Sequence, residues 1–162
     1  MRLMLNTVVA LVLVGVLGGV VYKDRVARDR ETLEVQTQQE VRRFQQQIHL
    51  QAALMFSETN VPGYPEMVKP AWFGGKLPRN LLLEPGHPWL EIASPDEAAL
   101  QHPRRRTVEN ENVAGFWYNP ANGIVRARIP AEITDERALQ LYNFINRTEL
   151  ASILTTTDAV WA

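Results

Sequence analysis

From Leu3 to Tyr22 no side chain is charged, and between Val20 and Asn60 there is neither proline nor glycine. Few structures satisfy both properties in succession. At 1.5 Å per residue the uncharged run makes a helix of about 30 Å, the thickness of a bilayer's hydrocarbon. A single span in lipid must satisfy its own backbone hydrogen bonds, which selects helix. Tyr22 stands where an interfacial aromatic is expected, and Lys23 follows as a polar stop. A cleaved signal peptide is the competing reading. Its apolar region would be shorter, and Gly18-Gly19-Val20-Val21 leads into no small-x-small cleavage site. We therefore read residues 1–22 as an uncleaved, single-pass transmembrane anchor. Gly15 and Gly19 form a GxxxG pair, a spacing that lets two membrane helices approach closely; glycine is also simply frequent in such helices.

The helix is expected to continue beyond the membrane. Residues 23–59 are rich in Glu, Gln, Arg, Leu and Ala, all good helix formers. Their apolar members recur at helical spacing: Val26, Leu33, Val41, Phe44, Ile48, Ala52 and Met55, with Thr37 in the gap. Gln38, Gln39, Arg42 and Gln46 occupy the opposite face. The stripe reads as the side of the helix laid on a soluble core, with Leu33, Val41, Phe44, Ile48 and Met55 as its core positions. A dimerising coiled coil and a free-standing stalk are the alternatives. The first would place Arg30 and Thr37 in the seam, and the second would leave Phe44, Ile48, Met55 and Phe56 in water.

Residues 60–162 read as a small α+β soluble domain. Twelve prolines and glycines punctuate the stretch from Pro62 to Pro103, which excludes long helices there. Trp72, Phe73, Leu77, Leu81, Trp89 and Leu90 are interleaved with them, too many large apolar groups for a disordered linker. The stretch is expected to be irregular but folded, with an extended piece at Trp89–Ala93 and a helix start at Ser94-Pro95-Asp96-Glu97. The clearest hairpin lies between Val113 and Ile129. Phe116, Trp117 and Tyr118 are strand formers, Asn119-Pro120-Ala121-Asn122-Gly123 is a turn cluster, and Val125, Ala127 and Ile129 alternate with Arg126 and Arg128. That alternation predicts a half-buried strand with a wet arginine face. Thr134-Asp135-Glu136 begins a second helix carrying Leu139, Tyr142 and Ile145, and the tail to Ala162 is a candidate edge strand.

This order of a long N-terminal helix, a proline-rich region and a late aromatic hairpin resembles the type IV pilins and type II secretion pseudopilins. In that family the helix is hydrophobic in its first half and amphipathic in its second, and lies against a small antiparallel sheet. The run Gly115-Phe116-Trp117-Tyr118-Asn119-Pro120-Ala121-Asn122-Gly123-Ile124 is similar to the late hairpin of pseudopilins, an aromatic strand turning through Asn/Asp-Pro-x-x-Gly. The N-terminus departs from the pattern. Arg2 is followed by Leu3, Met4, Leu5 and Asn6, with no leader glycine and no early glutamate. Neither leader cleavage nor glutamate-guided packing in a filament is therefore carried over. The resemblance implies a structural component of a cell-envelope secretion or pilus-type assembly, held in the inner membrane with its domain outside the cytoplasm. Its partners would be membrane lipid and other pilin-like subunits or secretion-apparatus proteins. The charge count reads the other way: Lys23, Arg25, Arg28 and Arg30 would place the domain in the cytoplasm.

The chemistry-bearing residues add little to this. The formal net charge is −1 and there is no cysteine, which gives no reason to expect a nucleic-acid partner and removes thiolate nucleophiles and disulfides. His49, His87 and His102 share no metal-binding spacing, so no metal site and no cofactor are expected. Arg104-Arg105-Arg106 is the one tight charge run, and Glu109 and Glu111 are expected to neutralise it. Asn146-Arg147-Thr148 formally fits a glycosylation sequon. No catalytic constellation assembles, so no enzyme is expected. The rival functional reading is a membrane-tethered binding module, with the helix as a spacer and Trp72, Phe73 and Trp89 lining a ligand site.

Overall fold

The computed structural model describes residues 2–54, 63–131 and 134–154, with side chains from Val21 onward. Two compact units divide the chain, residues 1–33 and residues 34–162. Helix α1, Arg2–Leu54, runs through both. Among the described residues no helix is long and apolar enough to cross a membrane. The side chains of the expected anchor up to residue 20, including the surroundings of Gly15 and Gly19, lie outside the described residues. So do Met55, Phe56 and the tail from residue 155.

The second unit is α+β, as the residue pattern implies. Its elements are β1 (Leu90–Ile92), β2 (Thr107–Val108), β3 (Phe116–Asn119), β4 (Ile124–Ala127), β5 (Ile129–Pro130) and α2 (Asp135–Asn146). The hairpin is β3 and β4, with Phe116 opposite Ala127 and Tyr118 opposite Val125. The expected antiparallel sheet is instead mixed. β1 runs parallel to β3, giving the order β1-β3-β4, and β2 and β5 form a separate parallel pair. The physical reason is the connection: residues 93–115 form a crossover long enough to bring the chain back to the same end of the sheet.

Alternation along the strands sorts the two faces. Phe116 and Tyr118 of β3, with Val125 and Ala127 of β4, join Val41, Phe44 and Ile48 of α1 and Leu141, Tyr142 and Ile145 of α2 in one core. The stripe on α1 thus packs on the chain's own sheet, but its start is displaced from the expectation. Val26 and Leu33 are exposed, and Glu34 and Thr37 take the buried positions two turns and one turn before Val41. Both polar residues are partnered: Glu34 accepts from Arg137 of α2 at 2.6 Å, and the Thr37 hydroxyl accepts from the Leu81 N–H at 3.2 Å. Gln38 also leaves the expected open face, donating to the Phe144 carbonyl at 2.5 Å.

The wet arginine face is overturned. Residues 94–106 cover it, and the helix expected to start at Ser94 is instead a single 3-10 turn, Pro95–Glu97. The Asn119 amide donates to the carbonyls of Glu97, Ala98 and Leu100 at 3.1, 3.1 and 2.8 Å, Arg126 donates to Gln101, and Arg128 donates to Arg105. Trp117 is consequently buried, and Arg128 is only 2% exposed. Such a cover has no periodic sequence signal, whereas a wet strand face and a strand face covered by backbone carbonyls share the same alternation.

The outer edge of β4 is closed by side-chain amides. Gln45 of α1 accepts from the Val125 N–H at 2.8 Å and donates to the Gly123 carbonyl at 2.5 Å. Asn146 accepts from the Ala127 N–H at 2.8 Å and donates back to its carbonyl at 2.9 Å. Two amides thus stand in for a neighbouring strand, removing an aggregation-prone edge. The hairpin turn between β3 and β4 closes by a Gly123 N–H to Asn119 carbonyl bond of 2.8 Å, with Gly123 at φ 69°. A Cβ there would strike the Tyr64 ring. Gly123→Ala combines left-handed strain with that clash and is expected to lower stability by about 2 kcal/mol or more in chemical denaturation. A Tyr64→Ser background should recover part of the loss, since it removes the clash and leaves the strain.

Candidate functional site

The residues with the most to say about function lie where α1 meets the proline-rich region. Phe44 is wholly buried there. Its ring stacks on Trp89 with centroids 5.2 Å apart, and meets Phe73 at 5.4 Å and Phe116 at 5.6 Å edge-on. Phe73 and Trp89 also meet each other edge-on at 5.7 Å. The irregular stretch places these rings because Pro70–Phe73 forms a 3-10 turn ended by left-handed Gly74, and β1 holds Trp89 beside β3. Arg43 fastens the turn to the helix, donating to the carbonyls of Phe73 at 3.4 Å and Lys76 at 2.7 Å. Two of the three aromatics proposed for a ligand site are therefore used in closing the domain over its helix, while Trp72 stays half-buried beside the same core.

Among the described residues, two clefts lie on the surface of this unit beside other openings. One, of about 420 Å³, lies under residues 75–89, with Leu77, Leu83, Trp89 and Phe116 among its lining. The other, of about 400 Å³, is polar and lies on the covered face of the sheet. Its innermost group is Arg128. The guanidinium donates to the carbonyls of Arg105 at 2.8 Å and Ala114 at 3.0 Å, and pairs with Glu91 at 3.0 Å. Its mouth carries the sequence's arginine run. Glu109 and Glu111 were expected to neutralise that run, but the acids that do so precede it: Arg104 pairs with Asp96 at 3.0 Å and with Glu97 at 3.5 Å. The capping turn Pro95–Glu97 puts both acids on one side, within reach of the run as residues 94–106 cross the sheet. Arg106 turns away to donate to the carbonyls of Ser152, Ile153 and Leu154.

The remaining candidates take structural places. Phe116, Trp117, Tyr118 and Asn119 are all buried in β3, and Pro120 and Gly123 form the turn. The Tyr118 hydroxyl donates to the Pro65 carbonyl at 2.7 Å, and burial raises its pKa. Asn146 of the sequon is buried and engaged with Ala127, so the folded domain does not present it for modification. Among the described residues no group of His, Asp and Glu assembles to hold a metal ion. His49 lies beside Tyr64, and His87 Nδ1 is 3.2 Å from the Val113 carbonyl.

His102 Nδ1 is 3.2 Å from the Tyr142 hydroxyl, and its pKa is lowered to about 4 by burial and by the nearby Arg126 and Arg106. In the unfolded chain the imidazole protonates near pH 6.5, in the folded chain only near 4. Unfolding therefore takes up a proton between those values, and stability is expected to decline as pH falls from about 6.5, levelling off below about 4. For a half-buried ring the loss is roughly 1–2 kcal/mol once solvent screening is allowed for. Denaturation midpoints measured across this range should show the decline, and His102→Gln should flatten it.

No protein-family model matches the chain, and neither a curated protein nor a solved structure is significantly similar to it.

Proposed function

We propose that this protein is a pilin-like structural component of a cell-envelope assembly of the secretion or pilus type. In this reading residues 3–22 hold it in the inner membrane and the α+β domain faces away from the cytoplasm. The observation that supports the reading is Phe44: a helix continuous in sequence with an uncharged segment supplies the central ring of the soluble domain's core. A helix serving only as a spacer would not need Val41, Phe44 and Ile48 beneath the sheet. Phe73 and Trp89 close against Phe44, so the tethered-binding-module reading keeps only the cleft of about 420 Å³ that part-buried Trp89 lines with Leu77 and Leu83.

Two measurements on the full chain in native membranes test the proposal. A tag placed after Ala162 should be digested by protease added from the extracytoplasmic side. Crosslinking should then join the domain to other envelope proteins or to further copies of itself. A tag accessible only from the cytoplasm, or a domain that crosslinks to nothing, would overturn it.

A further inference from the structure

We infer that the polar cleft floored by Arg128 is a carboxylate-binding site, a role that goes beyond the structural function proposed above. Taking a guanidinium out of water is costly, and Arg128 is placed at the base of an open cleft of about 400 Å³ rather than sealed in the core. Its own contacts use the Nε, one Nη1 and one Nη2 hydrogen, on Arg105, Ala114 and Glu91. A guanidinium has five N–H donors, so two are left.

The walls repeat that surplus of donors. Arg104 is engaged by Asp96 and Glu97 on the outer side. Arg105 lines the cleft with its backbone carbonyl held by Arg128, while its exposed side chain has no acidic partner among the described residues. Asn110 and Asn112 line the opposite wall. The Asn110 Oδ1 is taken by the Asn112 N–H at 3.0 Å, which leaves the amide hydrogens of both side chains as donors. Arg104 is held by Asp96 and Glu97 and Arg128 by Glu91, so among the described residues Arg105 is the cation of the lining that has no acidic partner.

One guanidinium without an acidic partner and a surplus of planar N–H donors fit a monoanion with two oxygens. Arginine recognises a carboxylate through two parallel hydrogen bonds, which a lysine in its place would not reproduce. A phosphate dianion would overshoot the balance beside Glu91 and Glu97. The ligand class is therefore a carboxylate, either on an acidic side chain of a partner or on a free small molecule.

The test is an NMR titration of the full chain in a neutral detergent, following the side-chain amides of Asn110 and Asn112 and the guanidinium of Arg105. The probes are acetate, a capped glutamate peptide, its glutamine counterpart and inorganic phosphate, at constant ionic strength. Acetate and the glutamate peptide should shift these resonances saturably, and the glutamine peptide should bind at least about tenfold more weakly. Arg105→Gln should weaken binding by about tenfold with no change in melting temperature, since the side chain is exposed; Arg105→Lys should not restore it. A peptide that binds more tightly than acetate identifies a protein partner as the source; equal affinities identify a free small carboxylate. No saturable shift with either carboxylate, equal binding of the glutamate and glutamine peptides, tighter binding of phosphate than of acetate, or an unaffected Arg105→Gln variant would each overturn the assignment.

Discussion

Phe44→Ala is expected to lower the stability of the soluble domain by about 3–5 kcal/mol, the range for removing a fully buried aromatic ring. The ring touches Trp89, Phe73 and Phe116 with centroids 5.2–5.6 Å away, so its loss opens a cavity among groups that cannot readily collapse. Each aromatic pair adds roughly 0.5–1.5 kcal/mol beyond area burial. Domains of this size are stable by only about 5–15 kcal/mol, so the variant should be close to unfolded under mild stress. Urea denaturation of the full chain, read by tryptophan fluorescence, measures it, because Trp89 stacks on the ring removed. Phe144→Ala is the control: Phe144 is exposed on α2, and its change should stay within about 0.5 kcal/mol. If Phe44→Ala were as mild as Phe144→Ala, the helix would not be part of the core, and the pilin-like reading would lose its main support.

That prediction rests on a feature readable in the residues themselves. Val41, Phe44 and Ile48 repeat at the period of a helix, and no turn residue interrupts them, so a buried stripe follows from sequence. The Asn-Gly turn and its aromatic strand were legible for the same reason: the signal is local. Three things were not. The direction of β1 depends on where the connection 93–115 travels, which no short-range pattern encodes. Leu33 and Glu34 are neighbours with opposite fates: Leu33 is exposed, and Glu34 is buried because Arg137, a hundred residues away in sequence, supplies its partner. The arginines of β4 and its extension alternate with apolar residues as a wet face would, yet carbonyls of residues 101 and 105 lie over them. The polar cleft was invisible to sequence reasoning for this last reason. The nearest clue was the arginine run, whose charge looked balanced by the acids after it.

Arg128 also decides between two accounts of what holds that covered face. If its ion pair with Glu91 were the main term, Glu91→Gln would cost nearly as much as loss of the arginine. Glu91 is 46% exposed in its side chain, however, and a carboxylate so hydrated gains little from the pair, at most about 1 kcal/mol. The carbonyls of Arg105 and Ala114 are in a different position. They lose their donor when the arginine goes, and a buried acceptor left unsatisfied, as at Ala114, costs about 1–3 kcal/mol, with a smaller loss at the part-buried Arg105 carbonyl. Arg128→Met, which keeps much of the volume, is therefore expected to destabilise the domain by about 2–4 kcal/mol, and Glu91→Gln by less than about 1 kcal/mol. The double variant should lie close to Arg128→Met alone, with a coupling energy under about 1 kcal/mol in a urea-denaturation cycle. A coupling of several kcal/mol would instead make Glu91 the indispensable partner of Arg128.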